Sequence, residues 1–149
     1  MTMTQFIQIL AGGVGSFGFA CLFNIRGKRL AVATLGGVLS WFLFVILSYF
    51  IKEDAINYFV VSFVISLFAE VMARVMKTPT TTFITTSLVP LIPGGSLYYT
   101  MAYAFHQDAD SFVKKGIATL SLAAALALGI IIATTLTKLV LKPRKSRMN

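Results

Sequence analysis

Hydrophobic residues run along this chain in long blocks, separated by short groups of charged residues. The charged residues gather near positions 26–29, 52–54, 70–77, 108–115 and 138–147. Four of the five blocks between them exceed the ~20 residues that an α-helix needs to cross the hydrocarbon core of a bilayer, and the third reaches that length when it is continued to residue 76. The blocks are continuous rather than alternating, which excludes a β-barrel. The pattern predicts five membrane-spanning helices, at about 4–25, 30–51, 55–76, 80–105 and 116–141.

The connections between these blocks are too short to fold by themselves. The longest is "HQDADSFVKK", between the fourth and fifth spans. We therefore predict one all-α integral membrane domain over residues 1–149, ending in a basic tail at 142–149. Composition agrees, because 57% of the residues are hydrophobic and only 12% are charged, whereas a soluble domain carries about 25% charged residues. Membrane lipid is thus an expected partner.

The distribution of basic residues predicts how the chain is oriented. Ten of the 13 Lys and Arg residues lie in the first loop, the third loop and the C-terminal tail. Because basic residues collect in cytoplasmic loops, the N-terminus is predicted outside the cell and the C-terminus in the cytoplasm. The same rule accounts for the net charge of +8. No basic stripe with interleaved aromatic residues is present, so nucleic acid is not an expected partner.

Small residues recur four positions apart in several spans. In lipid such residues promote helix association because they let backbones approach closely. The alternative is that small residues are simply common in membrane helices. The candidate contact positions are Gly12 and Ser16, Gly36 and Ser40, Ser62 and Ser66, and Ala125, Gly129 and Ala133.

The fourth block is interrupted at its centre by "VPLIPGG", residues 89–95. A proline has no backbone N–H and clashes with the carbonyl four residues back. Pro90 and Pro93 are therefore predicted to free the carbonyls of Thr86 and Val89. The two glycines that follow make the backbone permissive. We predict two half-helices, at roughly 80–89 and 94–105, joined by an unwound stretch.

Such an interruption creates a candidate binding site near the middle of the membrane. Lipid cannot satisfy the freed backbone groups, so they must face protein or a water-filled cavity. The N-terminus of the second half-helix suits a carboxylate, and the hydroxyls and carbonyls of the first half suit an ammonium, a hydroxyl or a cation. The alternative is a proline kink sealed by neighbouring helices. The candidate solute-binding residues are Thr85, Thr86, Ser87, Pro90, Pro93, Gly94, Gly95, Ser96 and Tyr98.

One acid–base pair lies near the interior of a span. Glu70 and Arg74 are four residues apart, on one face of the third helix. Intramembrane ionisable residues mark functional sites by default, so the pair is a candidate for ion coupling or gating. The alternative is that both residues lie at the cytoplasmic end of the span, pair with each other and reach the interface.

Catalytic and metal chemistry finds little support. His106, Asp108 and Asp110 are close together in a loop, but three exposed ligands make a weak metal site, and a solvated loop is the favoured interpretation. No nucleophile-plus-histidine arrangement and no phosphate-binding loop is present. We therefore expect neither an enzyme nor a bound cofactor or metal.

The most distinctive stretches resemble a known family. "TPTTTFITTSLVPLIPGGSLYYTM", preceded by "FAEVMARVMK" and by "ATLGGVLSWFLF" in the second span, is similar to the threonine/serine exporter family. The likeness is to its small second-half unit, which occurs fused behind a larger half or as a separate protein. The resemblance implies an inner-membrane component, and in the split form a larger partner subunit and the export of dicarboxylates such as succinate.

Two functions remain in competition. The first is the membrane subunit of a secondary exporter for a small carboxylate or an amino acid, working with a larger partner. Five helices alone make a thin wall for a gated path, so a partner or a homo-oligomer is expected, with the solute site where the units meet. The second is a non-transporting scaffold or assembly subunit, whose kinked helix only fits its partner.

Overall fold

The computed structural model describes residues 3–140 and contains no strand in that range. Its α-helices are α1 (Met3–Leu22), α2 (Lys28–Ser48), α3 (Asp54–Val75), α4 (Thr80–Leu88), α5 (Gly94–Phe105) and α6 (Ala109–Val140). A short 3₁₀-helix, Val89–Leu91, lies between α4 and α5.

Four helices, α1, α2, α3 and α6, are long and apolar enough to cross a membrane. The chain is therefore a multi-pass membrane protein. The remaining predicted crossing is divided between α4, with 9 residues, and α5, with 12 residues. At 1.5 Å per residue these helices measure about 14 and 18 Å, so neither spans the hydrocarbon core alone. A fifth crossing built from α4 and α5 stays a prediction, as does the orientation.

The polarity of the molecule is reversed relative to a soluble protein. Serine side chains are fully buried at positions 16, 40, 62, 66 and 87, while large apolar side chains such as Leu10, Val14 and Phe17 are exposed. A soluble domain places its large apolar residues inside. Small polar residues between helices and apolar residues outside are the arrangement expected in lipid.

Close approach of helices at glycine explains much of the packing. A Cβ atom added to Gly37 would collide with Ser16, and one added to Gly129 would collide with Ser62 and with the backbone of α3. These contacts join α1 to α2 and α3 to α6, which are neighbouring pairs. The predicted role of small residues in close packing is confirmed at Ser16, Ser62 and Gly129, whereas Gly37 was not among the predicted positions.

Three of the described helices are each followed by a turn that contains a left-handed residue other than glycine. Asn24, Lys77 and Gln107 have φ angles of 57°, 52° and 57°. In the first of these turns the N–H of Ile25 donates to the carbonyl of Ala20 at 2.9 Å, the long-range bond of a Schellman motif. The equivalent bonds follow α3 and α5. Each of these three helices packs on the helix that follows it, α1 on α2, α3 on α4 and α5 on α6.

The last helix begins earlier than the predicted span. It starts at Ala109, within the segment predicted to be a solvated connection. The cause is a cap: the N–H of Ser111 donates to Oδ1 of Asp108 at 3.1 Å, and the N–H of Phe112 donates to the Asp108 carbonyl at 2.9 Å. An aspartate at this position satisfies donors that a helix start leaves unpaired. The predicted tail at 142–149 and residue 141 lie outside the described residues.

Candidate functional site at the interrupted helix

The predicted interruption between α4 and α5 is confirmed at the expected position. Helix α4 ends at Leu88, and Ile92 takes extended backbone angles (φ −62°, ψ 123°) before α5 begins at Gly94. The prediction that Pro93 frees the carbonyl of Val89 is wrong. That carbonyl accepts the N–H of Ile92 at 3.2 Å, because the chain tightens into a 3₁₀ turn in which the bond spans three residues instead of four.

The start of α5 carries backbone donors without acceptors. The N–H of Gly94 donates to the carbonyl of Ile92 at 2.7 Å, and that of Leu97 to the carbonyl of Pro93 at 3.0 Å. Between them, the N–H groups of Gly95 and Ser96 meet no acceptor within residues 3–140. Pro93 precedes the helix and has no side-chain acceptor with which to cap it. The positive end of the α5 dipole is therefore available to an anion.

The two sides of the interruption have different surroundings. Pro90 sits between α1 and α2, where a Cβ added to Gly12 would lie 3.3 Å from the Cβ of Pro90 and 3.4 Å from that of Trp41. Leu91 is fully buried. In contrast, Gly94 and Gly95 are exposed, and a Cβ added to either would meet no atom within 4 Å. The glycine side is open.

The hydroxyls of α4 do not join the glycines. Thr85 donates to the carbonyl of Thr81 at 2.7 Å, and Thr86 donates to that of Thr82 at 2.9 Å. Threonines in helices commonly satisfy their hydroxyls in this way. The buried Ser87 hydroxyl has no partner within the described residues and packs against α2 at Gly36. Since no atom lies within 4 Å of a Cβ on either glycine, the two predicted halves of the site stand apart.

A hydroxyl cluster that the sequence did not reveal holds α5 against α6. The hydroxyl of Thr119 lies 2.9 Å from that of Ser96 and 3.1 Å from that of Thr100. Thr100 also donates to the carbonyl of Ser96 at 2.9 Å, and Thr119 to that of Lys115 at 2.8 Å. The Ser96 side chain is thus engaged, although its backbone N–H is not. The four-residue spacing of Ser96 and Thr100 was the one sequence feature that could have indicated this cluster. No sequence feature indicated that Thr119 belongs to it.

Tyr98 lies on the outer side of α5, with 68% of its surface exposed. Its ring stacks edge-on against that of Tyr99, with 5.6 Å between the centroids. Helix α5 packs on α6, so these rings extend the open surface that begins at the two glycines.

Glu70 and Arg74 form a separate site between α3 and α6. Glu70 is buried, and its Oε2 lies 3.6 Å from Nη2 of Arg74. The same guanidinium donates to the carbonyl of Thr137 in α6 at 3.4 Å. The Arg74 side chain is 41% exposed. The pair therefore bridges two packed helices, with its acidic member inside and its basic member reaching out.

The segment between α5 and α6 forms the start of α6. The hydrogen bonds from Ser111, with a smaller contribution from Lys114, lower the pKa of Asp108 below its usual range. His106 and Asp110 are exposed. Among the described residues no three His, Cys, Asp or Glu side chains are grouped as metal ligands would be.

A family model described as "Threonine/Serine exporter, ThrE" matches residues 8–136. The chain belongs to the threonine/serine exporter family. It is accordingly a membrane transporter of the exporter type, and the matched region covers all six helices in whole or in part. No curated protein and no solved structure matches the chain significantly.

Proposed function

We propose that the chain is the membrane subunit of a secondary exporter that works with a larger subunit of the same family. Its solute is a small carboxylate, such as succinate, or an amino acid, such as threonine or serine. The chain resides in the bacterial inner membrane with its N-terminus outside. The observation that carries this proposal is the pair of unpaired N–H groups of Gly95 and Ser96 at the open end of α5.

These donors need a partner that lipid does not provide. An unsatisfied backbone group in hydrocarbon costs several kcal/mol, so water, solute or another protein has to cover the start of α5. A carboxylate matches both the two donors and the positive helix end. The glycines allow it to come close, because no side chain projects from them.

The exposed surface of α5 is available for contact with a second subunit. The helix packs on α6, and large apolar residues remain exposed along it: Leu97, Tyr98, Tyr99, Met101 and Phe105. A solute path that runs past Gly94 and Gly95 needs an opposite wall, and the larger subunit supplies it. A second copy of this chain is the alternative wall.

The scaffold function keeps one observation in its favour. Pro90 fits between Gly12 and Trp41, so part of the interruption serves packing within the chain. In a scaffold, carbonyls of the partner would cover the N–H groups of Gly95 and Ser96, and transport would not depend on them.

Reconstitution tests the proposal. The chain and its larger subunit are placed in proteoliposomes, together and separately, and efflux of succinate, threonine and serine is measured. We expect gradient-driven efflux of at least one solute only when both subunits are present. If both folded subunits together move none of the three, the proposal is wrong. If the larger subunit alone reaches the full rate, and this chain only increases its amount in the membrane, the scaffold function is correct.

A further inference from the structure

A second pocket, remote from the glycines of α5, lies at the end of the molecule where α1 meets α2 and α3 meets α4. Its volume is about 300 Å³, and its polar lining comes from Asn24, Arg26, Arg29, Thr78 and Thr82. Pockets that hold small molecules begin at about this volume. The basic-residue distribution predicts this end to be cytoplasmic, which is the side from which an exporter takes up its solute.

Both arginines of this pocket lack a carboxylate partner among the described residues. Arg26 donates from Nε to Oδ1 of Asn24 at 2.9 Å, and Arg29 donates from Nη2 to the carbonyl of Met76 at 3.5 Å. A guanidinium has five N–H donors, so most of their hydrogen-bonding capacity is unused. The ion pair found in residues 3–140 is that of Glu70 with Arg74. Two uncompensated positive charges therefore line one concave surface.

The start of α4 adds to the attraction for an anion. Helix α4 begins at Thr80, directly beside the pocket, with no side-chain cap and no acidic residue in its first turn. Its dipole presents a positive end there. The buried Oγ1 of Thr78 has no hydrogen-bond partner in the described part of the chain, and a buried polar group without a partner is unusual.

A neighbouring pocket continues in the direction of the interruption. Its volume is about 240 Å³. It shares Phe23, Ile25 and Thr82 with the pocket that contains the two arginines, and it is also lined by Thr81 and Thr85. Hydroxyls thus follow one side of α4 away from the arginines. The predicted solute-binding residue Thr85 lines this neighbouring pocket and is not part of the site at Gly94 and Gly95.

We propose that the pocket between Arg26, Arg29, Thr78 and Thr82 binds the carboxylate group of the exported solute on the side where it is loaded. The proposal rests on the exporter function above. Guanidinium groups recognise carboxylates through paired, charge-assisted hydrogen bonds. The pocket is a loading site distinct from the start of α5, and it favours a solute with at least one carboxylate.

The test measures binding without turnover. The purified exporter complex is placed in nanodiscs of neutral phosphatidylcholine, and binding of radiolabelled succinate and threonine is measured by equilibrium dialysis for the wild type, Arg26→Gln and Arg29→Gln. Lys28→Gln is the matched control, because it removes the same charge from the position directly before Arg29 while Lys28 does not line the pocket. We expect each arginine variant to weaken binding at least tenfold and the control to stay within twofold.

Two outcomes overturn the proposal. Equal effects of all three substitutions mean that only the overall charge of residues 26–29 matters. Phosphatidylglycerol that displaces succinate from the wild type, and is itself retained less by the arginine variants, makes the pocket a site for a lipid headgroup.

Efflux from proteoliposomes that contain the same complex separates this proposal from the exporter function. For a loading site, Arg29→Gln raises the KM for internal solute and leaves the rate at saturation nearly unchanged. An unchanged KM overturns the pocket while the exporter function stands. A wild-type complex without efflux overturns the exporter function, whatever the pocket binds.

Discussion

The open glycine side of the interruption makes a direct test of transport, because substitution there leaves the rest of the chain undisturbed. Gly95 is the second residue of α5, its φ is outside the left-handed region, and an added Cβ would meet no atom within 4 Å. Replacing glycine by alanine at such a position stabilises a protein by about 0.4–1 kcal/mol, mainly by restricting the unfolded chain. Gly95→Ala and Gly95→Phe should therefore both fold.

Transport should respond differently from stability. A hydrogen bond to a charged group contributes about 1.5–3 kcal/mol, and every 1.4 kcal/mol is a tenfold change. If the ring introduced by Gly95→Phe keeps a carboxylate from even one of the N–H groups of Gly95 and Ser96, efflux falls about 10- to 150-fold. The smaller methyl of Gly95→Ala should cost much less.

The assay is efflux from proteoliposomes that contain both subunits, with assembly checked by copurification. Gly18→Phe is the matched control, because Gly18 is also helical, exposed and free of neighbours within 4 Å of an added Cβ. Efflux within twofold of the wild type for Gly95→Phe, in an assembled complex, would refute the role of the α5 start in binding the solute.

Three further predictions concern stability, measured as thermal unfolding by circular dichroism in detergent. Gly129→Ala should destabilise the fold by about 1–3 kcal/mol, because the added Cβ would lie 2.7 Å from the carbonyl oxygen of Phe59. Gly15→Ala is the control and should not destabilise the fold, because its added Cβ would meet no atom within 4 Å. Equal effects of the two substitutions would contradict the close packing of α3 and α6 at Gly129. Asp108→Ala should lower the midpoint while Asp108→Asn largely preserves it, because asparagine also caps helices. Since the folded-state pKa of Asp108 is lowered, its stabilisation should be present above the ordinary carboxyl pKa and lost as the pH falls through the lowered value; a midpoint difference between wild type and Asp108→Ala that does not shrink in acid would contradict this. Gln107→Gly should raise stability by roughly 0.5–1 kcal/mol, because glycine adopts a φ of 57° without strain; a lower midpoint would indicate that the Gln107 side chain matters.

Local rules predicted the parts of the fold that depend on neighbouring residues. The prolines placed the interruption to within one residue, since α4 ends at Leu88 where 89 was predicted and α5 begins at Gly94 as predicted. What proline does is fixed by its own ring and by the carbonyl four residues back. The length of each apolar block located α1, α2 and α3, because it too depends only on residues that are close together in the sequence.

The contacts between helices were beyond the reach of those rules. The placement of Ser87 against Gly36, and of Thr119 against Ser96, depends on how helices distant in sequence pack together. Hydropathy also misplaced the start of α6, because it reports where a chain can enter lipid rather than where a helix begins. The cap at Asp108 extends the helix beyond the apolar block.

The position of Pro90 next to a tryptophan allows the interruption between α4 and α5 to be followed by intrinsic fluorescence. Trp41 is the single tryptophan of the sequence, and it lies next to Pro90 beside Gly12. Its ring stacks on that of Phe44 with 5.2 Å between the centroids, and its Nε1 is buried without a hydrogen-bond partner in residues 3–140. All intrinsic indole emission therefore originates next to the place where α4 gives way to α5. A shift in its wavelength when solute or the larger subunit is added would signal rearrangement there, with no label attached and no residue replaced.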